Sequence, residues 1–192
     1  VFTGDFVSRV TQGELTTLVE ELSRLSAPEG VWAALGNHDH WTNATRVTEA
    51  ATRAGFRVLR NANGAITRNR QRLWVAGVDD IWERHHDLPL ALRGIPADEP
   101  VILLAHEPDF ADEAALDPRL RLQLSGHSHG GQVRLPFVGP VALPPLSRKY
   151  PEGLRQVRGM WVYTTRGVGM TGLPVRFNCR PEVTRLTLRT IP

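Results

Sequence analysis

Asp5, Asn37, His38, Asp39, His106, His127 and His129 are the side chains of this sequence best suited to chemistry, and they share one placement. Each follows a short apolar run. Asp5 follows Val1–Gly4, Asn37-His38-Asp39 follows Val31–Gly36, His106 follows Val101–Ala105, and His127 and His129 follow Leu122–Gly126. In open α/β sheets, sites form beyond the carboxyl ends of the strands, so groups distant in sequence can converge there. Carboxylate, amide and imidazole side chains make a mixed oxygen and nitrogen donor set. Such a set suits Mn²⁺, Fe or Zn²⁺ better than Ca²⁺ or Mg²⁺, and the lack of thiolates argues against a structural zinc site. Five of the seven histidines, counting His40 beside Asp39, fall in these clusters; the other two, His85-His86, read as solvated loop. A rival chemistry has a hook as well. Gly126-His127-Ser128-His129-Gly130 fits G-x-S-x-G, which would make Ser128 the nucleophile of a serine carboxylesterase. Two features oppose it. The residues after it alternate and break at Pro136 instead of opening a helix, and no histidine follows His129 to close a triad in hydrolase order.

The elements that must position these groups alternate in type. Leu15, Leu18, Val19, Leu22 and Leu25 trace one face of a helix. Val31–Leu35 reads as a buried strand. Thr42 or Asn43 caps a second helix, with Val47, Ala50, Ala51 and Ala54 on its apolar side and Gly55 as its stop. Phe56–Leu59 and Leu73–Ala76 read as strands with a turn at Asn63-Gly64. Val101–Leu104 and Leu120–Leu124 follow as strands, with a short helix over 109–116 between them. After Gly131, four prolines mark a long ordered loop, and Trp161–Tyr163 and Val183–Leu188 read as late strands. Trp32, Trp74 and Trp161 are expected in the core, and Cys179 in a late strand as a buried, inert thiol. The order implies layered α/β architecture in a single domain over 1–192. With 41% hydrophobic and 22% charged residues, the 192-residue chain has a globular composition. A lone cysteine excludes an internal disulfide. The net charge of +3 comes from 23 basic residues, all but Lys149 arginine, scattered enough to read as solvated surface over a nucleic-acid face.

In order, Gly4-Asp5, Gly36-Asn37-His38-Asp39, His106 and Gly126-His127-Ser128-His129 resemble motifs of the calcineurin-like metallophosphoesterases. Gly130–Pro136, Arg166–Gly169 and Leu173–Arg176 are similar to the bacterial phosphodiesterase branch that includes lipid-precursor pyrophosphatases. The resemblance implies an α/β/β/α sandwich and hydrolysis of phosphodiester or pyrophosphate bonds. It implies that Asp5 bridges two metals, that Asn37, His106 and His127 complete the second position, and that His129 serves the first. His38 would sit beside the phosphate with Asp39 orienting it. The ions would polarise the phosphoryl oxygen and acidify the attacking water. Trp41 would line the substrate pocket. Arg134 and Arg166, with Arg148 and Lys149, are candidates to hold a phosphate or an anionic lipid head, surface arginine being the alternative reading.

The family's opening Asp-x-His motif has no counterpart before Asp5. The resemblance therefore implies an N-terminally truncated fold, short of a strand and a helix of about 50 residues in all. It also implies one or two ions with the second position more complete, and a bare strand edge covered by a second copy of the chain or a rearranged segment. A catalytically impaired phosphoesterase-fold protein is the alternative. The expected substrate is a phosphodiester or nucleotide-lipid, with no specific nucleic acid partner, in a cytoplasmic or membrane-peripheral location.

Overall fold

The computed structural model describes residues 1–8 and 12–189, with residues 12–14 as backbone alone. A first sheet contains β1 (Phe2–Thr3), β2 (Val31–Ala34) and β3 (Phe56–Val58), all parallel, in that order. Helices α1 (Gln12–Leu22) and α2 (Asn37–Arg53) connect and cover it. Leu15, Val47 and Ala50 from the helices meet Val7 and Leu35, while Ala51 and Ala54 meet Ala33 and Phe56.

The second sheet is larger. It uses β4 (Ala62–Arg68), β5 (Gln71–Gly77), β6 (Val101–Leu104) and β7 (Leu120–Ser125), with α3 (Leu88–Ala91) and α4 (Ala111–Ala114) on its outer face. A two-stranded hairpin of β8 (Arg134–Leu135) and β9 (Gly139–Pro140) stands apart, and β10 (Gly153–Val157) and β11 (Met160–Thr164) complete the sheet. The strand order is β10-β11-β7-β6-β5-β4, parallel through β11, β7, β6 and β5 and antiparallel at both ends. Trp32 and Ala34 of the first sheet pack on Val75, Leu104, Leu122 and Leu124 of the second. The layers are therefore helix, sheet, sheet, helix, as expected. Burial on both faces explains why β2 and β6 read as unbroken apolar runs.

Several expectations change. Asn63-Gly64 is no turn: both residues lie inside β4, and the hairpin turns at Asn69-Arg70, each with positive φ (51° and 65°). Gly64 is needed for another reason, since a Cβ there would lie 2.7 Å from the Trp32 ring. Val183–Leu188 pairs in no strand, and Cys179 is buried outside any strand, its thiol donating to the His129 carbonyl at 3.1 Å. Trp161 lies in β11 but faces outward, 43% exposed. His85 does lie on the surface, stacked on His40, but His86 is half-buried against Phe110. β1 is the outer strand of its sheet, and its free edge borders a groove of ≈ 480 Å³.

Candidate metal centre

The carboxyl ends of β1, β6 and β7 and the amino end of α2 meet at one point. Gly4 (φ 96°) and Asp5 (φ 57°) turn the chain sharply out of β1. A Cβ on Gly4 would approach both the Gly36 nitrogen and His106 Nδ1 to 2.6 Å, so only glycine lets the two strand ends close up. Asp5 Oδ1 accepts the His38 backbone N–H at 3.1 Å. Its Oδ2 lies 3.2 Å from His106 Nε2, which in turn lies 3.2 Å from His127 Nδ1.

The outer ring nitrogens decide what these atoms can do. His106 Nδ1 donates to the Thr3 carbonyl at 2.6 Å, and His127 Nε2 donates to the Pro145 carbonyl at 2.9 Å. Both inner nitrogens therefore carry lone pairs, facing each other beside a carboxylate. Three acceptors in a buried space call for a cation, and carbonyls holding the far side of each imidazole are the usual support of a metal ligand. The three ligand atoms lie within 4.8 Å of one another. Without a metal, one proton takes the cation's place. Burial pushes His106 down, but the charge and hydrogen bond of Asp5 override it and raise the imidazole to about 10. Burial would raise Asp5, yet the same pairing with His106 holds it near about 2. Burial, then the His106 charge, lowers His127 to about 3.

The other expected residues surround this cluster. Asn37 opens α2 with Oδ1 buried and unpartnered, and His129 (φ 50°) keeps Nδ1 buried and unpartnered. Both are acceptors awaiting a donor or an ion. The tight cluster of Asp5, His106 and His127 does not include His129. His38 is half-buried, with Nδ1 on the Ser8 carbonyl at 3.1 Å and its ring 4.8 Å from that of Trp41. Trp41 meets Trp82 edge-on at 5.5 Å, and Trp82 meets His127 the same way at 5.5 Å.

Asp39 does not orient His38. Its two oxygens accept the backbone N–H groups of Val7 (3.2 Å) and Gly36 (2.9 Å), because it is buried directly beneath the turns they belong to. Burial, and then the charge of Asp5, raises it to about 7. Arg134 and Arg166 are engaged rather than open to an anion. Arg134 pairs with Glu152 at 2.7 Å and the Gly130 carbonyl, and Arg166 pairs with Glu182 at 3.0 Å. Ser128 is no nucleophile elbow: it is 1% exposed, and its Oγ accepts the Gly130 N–H at the head of a single 3₁₀ turn.

The model of the calcineurin-like phosphoesterase family matches residues 1–131, over half of the chain. The chain belongs to this family. Similar members include the metallophosphoesterase YkuE of Bacillus subtilis, 38% identical across 99% of this chain and 67% of its own length. Phosphodiesterase YaeI of Escherichia coli is 35% identical across 96% of this chain and 68% of its own. A transmembrane protein with a metallophosphoesterase domain from Danio rerio is 33% identical, and the chain spans 45% of its length. Among solved structures, the sulfate thiohydrolase SoxB of Thermus thermophilus shares the fold, with a TM-score of 0.52 at 17% identity over 80% of this chain and 30% of its own.

Beside the family motifs lie groups that the sequence reading passed over. Asp79 and Asp80 follow β5, the same strand-end placement as the expected ligands, but without a histidine beside them to draw notice. Asp79 holds His40 at 2.6 Å and Arg60 at 2.8 Å. Asp80 and Glu107 are fully buried behind His106, and burial raises Glu107 to about 8 against the pull of the His106 charge, with the Asp80 carboxyl adding to the rise. Trp82 was missed for want of any sequence signal, since its partner His127 is brought to it by the fold alone.

Proposed function

We propose that the chain hydrolyses phosphodiester bonds with a divalent transition metal held by Asp5, Asn37, His106 and His127. The observation that carries this reading is the convergence of three buried acceptors whose outer nitrogens are already committed to carbonyls. When bound, the ion polarises the phosphoryl group and acidifies the attacking water. Asp5 and His129 would hold a second, weaker position, and Mn²⁺, Fe and Zn²⁺ all suit the donors. Asp5 fixes the first turn of α2 through the His38 N–H, and Asp39 ties that turn to Val7. His38 keeps Nδ1–H on the Ser8 carbonyl, so in its imidazolium form Nε2–H would give its proton to the leaving oxygen and the ring would return to the neutral Nδ1–H tautomer. Trp41, with Trp82 behind it, forms the wall against which the ester group of a phosphodiester or nucleotide-lipid would lie. Pyrophosphate linkages fit the same chemistry.

The test is turnover of bis(p-nitrophenyl) phosphate by metal-stripped protein before and after addition of Mn²⁺. Activity should depend on the metal. His38→Ala should lower kcat about 10²–10⁴-fold with metal content unchanged, and more for an alkyl than for a nitrophenyl leaving group. Turnover indifferent to chelation, or a fully active His38→Ala protein, would overturn the reading.

A further inference from the structure

We propose that residues 131–189 dock the protein on an anionic lipid surface, with the β8–β9 hairpin tip as the inserted element. This reading does not depend on the phosphoesterase chemistry.

Charge and exposed apolar surface are both concentrated in this segment. It contains ten basic residues and two acidic ones, a net +8, whereas residues 1–130 sum to −5. Among the described residues it also carries 15 of the 19 exposed large apolar side chains. The family match ends at residue 131, so the segment lies beyond the motifs that carry the metal ligands.

The hairpin tip is shaped for insertion. Phe137 stands fully in solvent with φ 65°, a left-handed conformation that bulky residues rarely adopt, and Val138 beside it is 73% exposed. The backbone behind the tip is fixed. Arg134 donates to the Phe177 carbonyl and Phe177 to the Gln132 carbonyl, both at 3.0 Å. The Gln132 side chain clamps Leu173 at 2.9 Å and the Thr171 N–H at 2.9 Å. Hairpin and loop thus form one platform that carries the exposed Phe137, Val138, Leu173 and Phe177 within the basic segment. Single exposed apolar residues carry no meaning, but a fixed apolar tip within a segment of net +8 matches the headgroup region of an anionic bilayer in both polarity and charge. A nucleic acid would answer the charge and leave the apolar tip unused.

The experiment is co-sedimentation of the full chain with phosphatidylcholine vesicles, with and without about one third phosphatidylglycerol. Binding should require the anionic lipid and weaken in high salt. Phe137→Glu and Val138→Glu should each cut the bound fraction about 10-fold or more. Turnover of soluble bis(p-nitrophenyl) phosphate and the far-ultraviolet circular dichroism should stay unchanged. If the chain lacks turnover altogether, pelleting and dichroism still read the docking. Three results overturn the proposal: equal pelleting with neutral vesicles, full binding by both variants, or a duplex-DNA complex with no vesicle binding. So does a dimer that Phe137→Glu dissociates without any vesicle binding by the wild type.

Discussion

Asp79 sits between His40 on one oxygen and Arg60 on the other, with its side chain 6% exposed. Burial pushes its carboxyl up, and the bonds from His40 and Arg60 outweigh that and hold it below its ordinary value of 3.8. The native state therefore prefers the charged carboxylate. Its stabilisation is complete above the unfolded value and is lost as pH falls through the lower folded value. Asp79→Asn should cost about 1.5–3 kcal/mol at neutral pH, the range for hydrogen bonds to charged groups. The gap between variant and wild type should close as the pH is taken well below the ordinary carboxyl value, which urea unfolding at neutral and acid pH would measure. At the same scale, His127→Ala removes one of the three clustered ligands. It should lower metal affinity by at least the roughly 10–100-fold that supporting partners alone are worth, as read by titration with Mn²⁺ or Zn²⁺.

At the scale of elements, α2 is two pieces. Asn43 leaves the helix (φ 178°, ψ 97°) and its Oδ1 accepts the Arg46 N–H at 3.0 Å, so it caps the longer second piece. The short first piece carries Asn37, His38, Asp39 and Trp41 over Asp5. Asn43→Ala should cost about 1 kcal/mol of stability by thermal or denaturant unfolding and leave metal content intact, because the lost cap serves the second piece alone. The cap at Asn43 and the stop at Gly55 were legible in the sequence; the preceding turn was not, since a polar run of Asn, His and Asp resembles a loop. The strand ends were legible because an apolar run stopping at glycine and then a ligand-type residue reports both geometry and chemistry. Asn63-Gly64 misled because a turn-prone dipeptide also suits a strand that a tryptophan must cross closely. Val183–Leu188 alternates like a strand, yet it is anchored otherwise: Glu182 donates its N–H to the Gly167 carbonyl and takes the Arg166 N–H on its side chain.

For the whole molecule, the cluster joins two sheets that share no ladder: Asp5 comes from the end of β1, His106 and His127 from the ends of β6 and β7. An ion there binds the native state and finds no such site in the unfolded chain. At a metal concentration about 100 times Kd it should stabilise the fold by about 2.7 kcal/mol. For a chain of this size that raises Tm by about 5–10 °C, which a thermal melt with Mn²⁺ against chelator would record. The His127→Ala protein should show little of the shift. The layer order was readable beforehand, whereas the pairing of carboxyls behind His106 and the engagement of Arg134 and Arg166 depend on contacts that only the folded chain brings together. Because the cluster spans the seam, the two sheets behave as leaves and the ion as their clasp. Parting of the leaves separates Asp5 from His106 and His127, so a bound ion should slow amide hydrogen exchange along β1 and β6 together.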